Sequence, residues 1–118
     1  MNEANENLKR RSKDFAHRCV KLAFSRPSDN LGRHLQGQLI RCSTSVAANY
    51  RAALLGQSKA SIKAKISIVL EEADESVFWL EFCRDKKLFS IKKIEPLLKE
   101  ARELTAIFYS TRKTLTQQ

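Results

Sequence analysis

Apolar positions along the chain recur at helical spacing in four stretches, and strand-like alternation competes in none of them. In the first, about residues 8–26, Phe15, Cys19 and Leu22 repeat at four and three, with Ala16, Val20 and Ala23 beside them. The second, about 29–55, places Leu31, Leu35, Leu39 or Gln38, Cys42, Val46 or Ser45, Asn49 and Ala53 inward. The third, about 58–88, steps by four and three through Ile62, Ile66, Val69, Ala73, Ser76, Leu80 and Cys83, a seam with the period of a coiled coil. Leu70, Val77 and Phe78 form a second apolar line on that stretch, with Trp79 and Phe82 further round. A helix apolar on more than one face is expected to be central in a bundle or to lie at a subunit interface. The fourth stretch, about 91–113, repeats the pattern in Leu97, Ala101, Leu104, Phe108, Thr111 and Leu115.

Breakers separate the stretches. Pro27 and Ser28 end the first, Gly56 the second, and Phe89 and Ser90 the third. Ser28 or Asp29, Ser58 and Ser90 are suitable N-caps, and Gly56 suits a left-handed C-cap. Pro96 is expected to kink the second turn of the last helix. The polar start around Lys9, Arg10, Arg11 and Lys13 and the end at 114–118 are expected to fray. The prediction is one all-α domain over residues 1–118, an antiparallel up-down-up-down four-helix bundle on the order of 40 Å long.

Composition narrows this further. With 42 % apolar residues, 3 Gly and 2 Pro in 118, the chain is not collagen-like, disordered or a disulfide scaffold. Its longest nearly apolar run, Ile66 to Leu70, falls far short of the roughly 20 residues of a membrane span. Cys19, Cys42 and Cys83 stand far apart on apolar helical lines, which predicts buried, reduced thiols. Met1 to Asn7 lacks the apolar core of a signal peptide, so a cytoplasmic location is expected. The formal charge is +9, distributed as +4 over residues 1–27, +2 over 28–57, zero over 58–90 and +3 over 91–118. Such an excess favours polyanions, although it also serves as a plain solvated surface.

Candidate chemistry is sparse. Folding the second stretch onto the third about Gly56 brings Arg41 level with Glu72 and Gln38 level with Glu75. This predicts a partly buried ion pair from Arg41 to Glu71 or Glu72, within a polar group that also includes Gln38 and Glu75. Asn49, on the apolar face, resembles the single polar residue that fixes register in helical bundles. Paired carboxylates suggest a di-iron bundle, but neither His17 nor His34 follows a Glu by three, and zinc-like spacing is missing. Ser43, Thr44 and Ser45 lack the flanking glycines of a nucleophile elbow, and there is no Gly-rich phosphate loop. No catalytic residue, metal site or cofactor is expected. The nucleic-acid-binding candidates are Lys9, Arg10, Arg11, Lys13, Arg18, Lys21, Arg26, Arg33, Arg51, Lys92, Lys93, Arg112 and Lys113, with Lys86 and Lys87 beside them. With few exposed aromatics, these would contact phosphates and would not read bases.

The segment from Gln38 to Ala52, QLIRCSTSVAANYRA, resembles the four-helix-bundle family of 23S rRNA intervening-sequence proteins. That family is named for reading frames inside insertions in some bacterial 23S rRNA genes. Its hallmark is Gln-Leu-x-Arg, then small residues, then Ser-Ile/Val and a nearby Asn. Residues 16–23, 71–76 with Trp79-Leu80-Glu81, and 100–104 with 106–108 agree in order, so the likeness covers roughly 14–113. Cys42 stands where Ala or Ser is usual. Tyr50-Arg51 replaces a more acidic stretch and changes the local charge. The resemblance implies an antiparallel bundle assembled as a homo-oligomeric ring, a pentamer, with no known catalysis. A similar set, the accessory proteins of diversity-generating retroelements, are basic pentamers that bind a reverse transcriptase and its RNA. The resulting expectation is a non-enzymatic oligomer that binds RNA or DNA. The alternative is a protein-interaction scaffold for a polymerase-like partner, and no membrane is implied as partner.

Overall fold

The computed structural model describes residues 2–26 and 29–117; Pro27 and the candidate cap Ser28 lie outside them. Four helices follow one another: α1 (Glu3–Ala23), α2 (Asn30–Ala53), α3 (Lys59–Asp85) and α4 (Ile91–Gln117). Each start has a local cause. Asn2 accepts the Asn5 N–H at 2.7 Å, and Asp29 accepts the Gly32 N–H at 2.6 Å. Ser58 and Ser61 form a reciprocal capping box. At α4, the Ser90 carbonyl accepts the Ile94 N–H at 3.1 Å.

Several expectations are corrected. The start of α1 does not fray: Asn2 caps it, Glu3 and Glu6 sit at the positive end of its dipole, and Leu8 packs on the core. The end of α4 continues to Gln117, held by Leu115 against the core. Gly56 is not in the left-handed region. Its lack of a side chain matters for space, because a Cβ there would meet Ile62 Cγ1 at 2.6 Å. The left-handed residue is Lys87, φ 56°, which closes α3 with Leu88 N–H to Cys83 O and Lys87 N–H to Arg84 O. Leu31, expected inward, is 46 % exposed.

Cross-helix bonds set the directions. Arg41 meets Glu72 and Glu75, Arg84 meets Glu95 while Arg102 meets Glu81, and Arg11 meets Glu100. Along α3 and α4 the pairs Arg84–Glu95, Glu81–Arg102 and Ser67–Arg112 run in opposite order, and the grooves set Lys9 of α1 beside Arg51 of α2 and Lys21 of α1 beside Lys93 of α4, so neighbours run antiparallel. Each of α1–α2, α2–α3, α3–α4 and α4–α1 packs, and among the described residues the diagonal pairs do not approach. α1 and α3 are therefore diagonal, which separates their outer faces. The bundle measures 45 × 22 × 21 Å.

The core runs the length of this rod through Phe15, Leu39, Val46, Val69, Leu80, Ile94, Leu104 and Phe108, all essentially sealed. Each such side chain contributes about 1.5–3 kcal/mol on burial. Tyr50 stacks on Phe108 at 5.4 Å between ring centres. Ser12, Ser43 and Ser76 are also buried. Ser12 donates to the Leu8 carbonyl at 2.7 Å and Ser76 to the Glu72 carbonyl at 2.8 Å. Such back-bonded hydroxyls act as small core residues and let helices approach. The three thiols are buried, as their positions predict. Burial raises all three pKa values, that of Cys83 to about 11, so the thiols stay protonated.

Candidate nucleic-acid interface

The charge is distributed by helix. α1 carries six Lys or Arg against three Asp or Glu, α4 the same, and α2 three against none. α3 alone is acidic, with four against six. Its diagonal partner α1 therefore lies at the centre of the basic side, flanked by α2 and α4.

Two grooves border α1. Between α1 and α2 an open groove of about 640 Å³ is lined by Lys9, Lys13, Ala16, His17 and Val20 from one side and Thr44, Ala47, Ala48 and Arg51 from the other. The antiparallel pairing brings Lys9 and Lys13 to the same end as Arg51, so three cations crowd one end. His17 and Thr44 lie towards the other end. The Thr44 hydroxyl is turned back to the Ile40 carbonyl at 2.7 Å. The floor is therefore alanine and valine. Among the described residues no carboxylate lies within 4.0 Å of the Lys9, Lys13 or Arg51 nitrogens. Between α1 and α4, Arg18, Lys21 and Lys93 edge a second groove of about 430 Å³ with Leu22, Ser25, Pro96 and Leu97.

Other candidates are already engaged. Arg11 lays its guanidinium on Glu100 of α4, with Nε to Oε2 at 2.7 Å and Nη2 to Oε1 at 2.6 Å, and reaches Glu103 at 3.3 Å. The Glu100 bond leads the causes that raise its pKa. Arg26 pairs with the cap Asp29 at 3.1 Å and occupies the space over Gly32. Arg112 donates to Ser67 at 3.0 Å, and Arg10 to Asn7. Arg33, Lys92 and Lys113 are exposed but lie outside both grooves.

The predicted polar group between α2 and α3 differs in its partners. Arg41 bonds Glu72 at 2.9 Å, bonds Glu75, and donates to Gln38 at 3.3 Å. Glu71 takes no part. It is one residue, about 100°, further round α3 and lines the α3–α4 groove with Asp74 and Arg102. The Arg41 guanidinium lowers the Glu75 pKa, assisted by the Trp79 indole N–H at 3.3 Å. Asn49 does not bridge helices through any of its hydrogen bonds. Its amide bonds the Ser45 carbonyl and hydroxyl within α2, at 3.0 and 2.9 Å, because the half-buried side chain lies along its own helix.

A model of the 23S rRNA-intervening sequence proteins matches residues 5–110. The chain belongs to that family. A comparison with curated proteins finds no match. Among solved structures it is similar to a protein of unknown function from the S23 ribosomal protein family of Bacteroides thetaiotaomicron. The two are 27 % identical with a TM-score of 0.82, covering 92 % of this chain and 97 % of that one. The four-helix fold is thus shared with a crystal structure along almost the whole length.

In this family member, the groove floor escaped the sequence reading. Ala16 and Val20 read as flanks of the apolar stripe of α1, and Ala47 and Ala48 as small helix positions of α2. Only the register of α1 on α2, which local spacing does not supply, joins them to Lys9 and Arg51. The outer face of α3 was legible as apolar. Phe78 is 50 % and Ile68 38 % exposed, and Phe78, Trp79 and Phe82 stack edgewise at 4.9 to 6.2 Å. His34 abuts Trp79 at 5.7 Å, and the Lys86 ammonium sits 5.7 Å from the Phe82 ring. Among the described residues no helix is long and apolar enough to cross a membrane.

Proposed function

We propose that this protein is a non-catalytic nucleic-acid-binding bundle of the cytoplasm, with the α1 side as its binding face. The observation that carries the reading is the trio Lys9, Lys13 and Arg51. They share one groove end without an acidic partner among the described residues, while Arg11 and Arg41 are clasped by carboxylates. Unpaired cations held together repel one another and are best relieved by phosphates. Arg18, Lys21 and Lys93 extend the same face. The family description names a ribosomal RNA context, so RNA is the natural first probe.

The exposed Phe78 and Ile68 on α3 support a second, compatible reading, in which that face meets another copy in a homo-oligomer such as a pentamer, or meets a protein partner. A contact of the α3 face with a different surface of the next copy gives a ring where its rotation closes and a filament where it does not.

The decisive experiment measures native mass by light scattering and titrates labelled RNA and duplex DNA across salt. If three groove cations each meet a phosphate, RNA affinity falls roughly 20-fold between 50 and 200 mM salt. Affinity that ignores salt, or no binding at 50 mM, would overturn the nucleic-acid reading. A monomer at all concentrations would overturn the oligomer.

A further inference from the structure

The α1–α2 groove combines cations with an apolar floor, and a duplex uses only the first of these. We infer, resting on the nucleic-acid reading above, that this groove takes one unpaired strand and discriminates against a duplex. Its lining runs along α1 from Lys9 to Val20, eleven residues or about 17 Å. That length holds a few nucleotides of a single strand. Lys9, Lys13 and Arg51 hold phosphates at one end. Ala16, Val20, Ala47 and Ala48 offer methyl groups with no competing polar atom.

A duplex keeps its base faces inside and presents only phosphates and sugars. Seated on this groove it would leave the floor wet and gain nothing from it. A single strand can turn ribose and base faces onto the methyl groups while its phosphates meet the rim. The furrow between helices packed 8–10 Å apart is also too narrow to admit a duplex bodily. The floor between the two ends is alanine and valine, whose methyl groups read no base identity, and the His17 imidazole at the end away from the cations is a ring on which one base can stack.

The test uses the full chain with a labelled 12-nucleotide RNA and the same sequence annealed to its complement, read by fluorescence anisotropy. The single strand is expected to bind about tenfold more tightly at equal salt, and to keep more of its affinity near 1 M salt, where the phosphate contribution is screened. Ala48→Phe is expected to fill the floor and cost the single strand about tenfold while moving the duplex less than twofold. Thermal unfolding checks that the variant folds, and Ala47→Met serves as a milder filler. Equal or tighter duplex binding, or fillers that weaken both ligands alike, would overturn the single-strand assignment and leave the cationic face standing. If neither RNA binds even at 50 mM salt, the nucleic-acid reading fails and this inference with it.

Discussion

The two edges of α2 carry the same kind of residue and treat it in opposite ways. Towards α3, Arg41 is held by Glu72, Glu75 and Gln38, and the Trp79 indole N–H donates to the same Glu75. Towards α1, Arg51 stands with Lys9 and Lys13 over an alanine floor, and no carboxylate answers them among the described residues. One edge is internally neutralised and specifies how two helices align. The other stores unbalanced positive charge. An arginine count cannot distinguish these edges, because what matters is which helix lies opposite.

The largest expected effect separates them by binding. Reversing Lys9, Lys13 and Arg51 together to Glu should weaken RNA binding by about 100-fold or more at 50 mM salt, with the salt slope reduced by about two. Arg41→Ala and Arg11→Ala should change it less than about threefold, since those guanidiniums already have partners. If Arg41→Ala weakened binding as much as Arg51→Ala, the contrast between the edges would collapse.

The next effect concerns stability. Arg41→Ala strands Glu72, whose side chain is only 14 % exposed, while Arg41 itself is 49 % exposed. The cost should therefore lie between an exposed and a buried pair, about 1 kcal/mol in urea unfolding. Lys9→Ala should cost less than about 0.5 kcal/mol. Part of the Arg41 effect is pH-dependent. Because Arg41 lowers the Glu75 pKa below 4.5, the native state holds the ionised form more strongly than the unfolded chain does. The stabilisation is present above the unfolded pKa and lost as pH falls through the lower folded value. The gap in stability between wild type and Arg41→Ala should thus narrow as pH falls below the ordinary glutamate range, and a gap that widened on acidification would remove Glu75 from the clasp.

How much of this was readable follows from the same contrast. The α3 seam and the Arg41–Glu72 pairing were legible because only residues 54–58 separate α2 from α3, and so short a connection fixes the register by arithmetic. The choice of Glu75 over Glu71 was not, because adjacent residues on a helix diverge by about 100° and the fold-back gives only the level. Arg11 looked like a free cation because its partner Glu100 is 89 positions away on another helix. Leu31 looked inward because its spacing fits, but α2 starts one residue before it, where the bundle is open on that side. Gly56 looked like a left-handed cap, whereas its real constraint is the side chain of Ile62 lying over it. Local spacing thus identified which residues are helical and apolar, and the pairing of helices decided which charges remained unanswered.

The smallest effect is the sharpest, because its sign differs between the two edges. Neutralising a paired cation removes an attraction and destabilises the fold. Neutralising one member of an unpaired trio removes a repulsion and should do the reverse. Lys13→Gln keeps the length and helix propensity of the side chain, so charge is the main change. At 10 mM salt, where the screening length is about 30 Å, it should raise stability by roughly 0.3 kcal/mol, read as an upward shift of the urea midpoint with unchanged slope. At 1 M salt, with screening over about 3 Å, the shift should vanish. Urea is needed here because guanidinium would screen the very interaction in question. A destabilised Lys13→Gln at low salt would mean that Lys13 has an attractive partner in solution. The groove would then belong with the neutralised edge, and the case for a waiting polyanion would weaken with it.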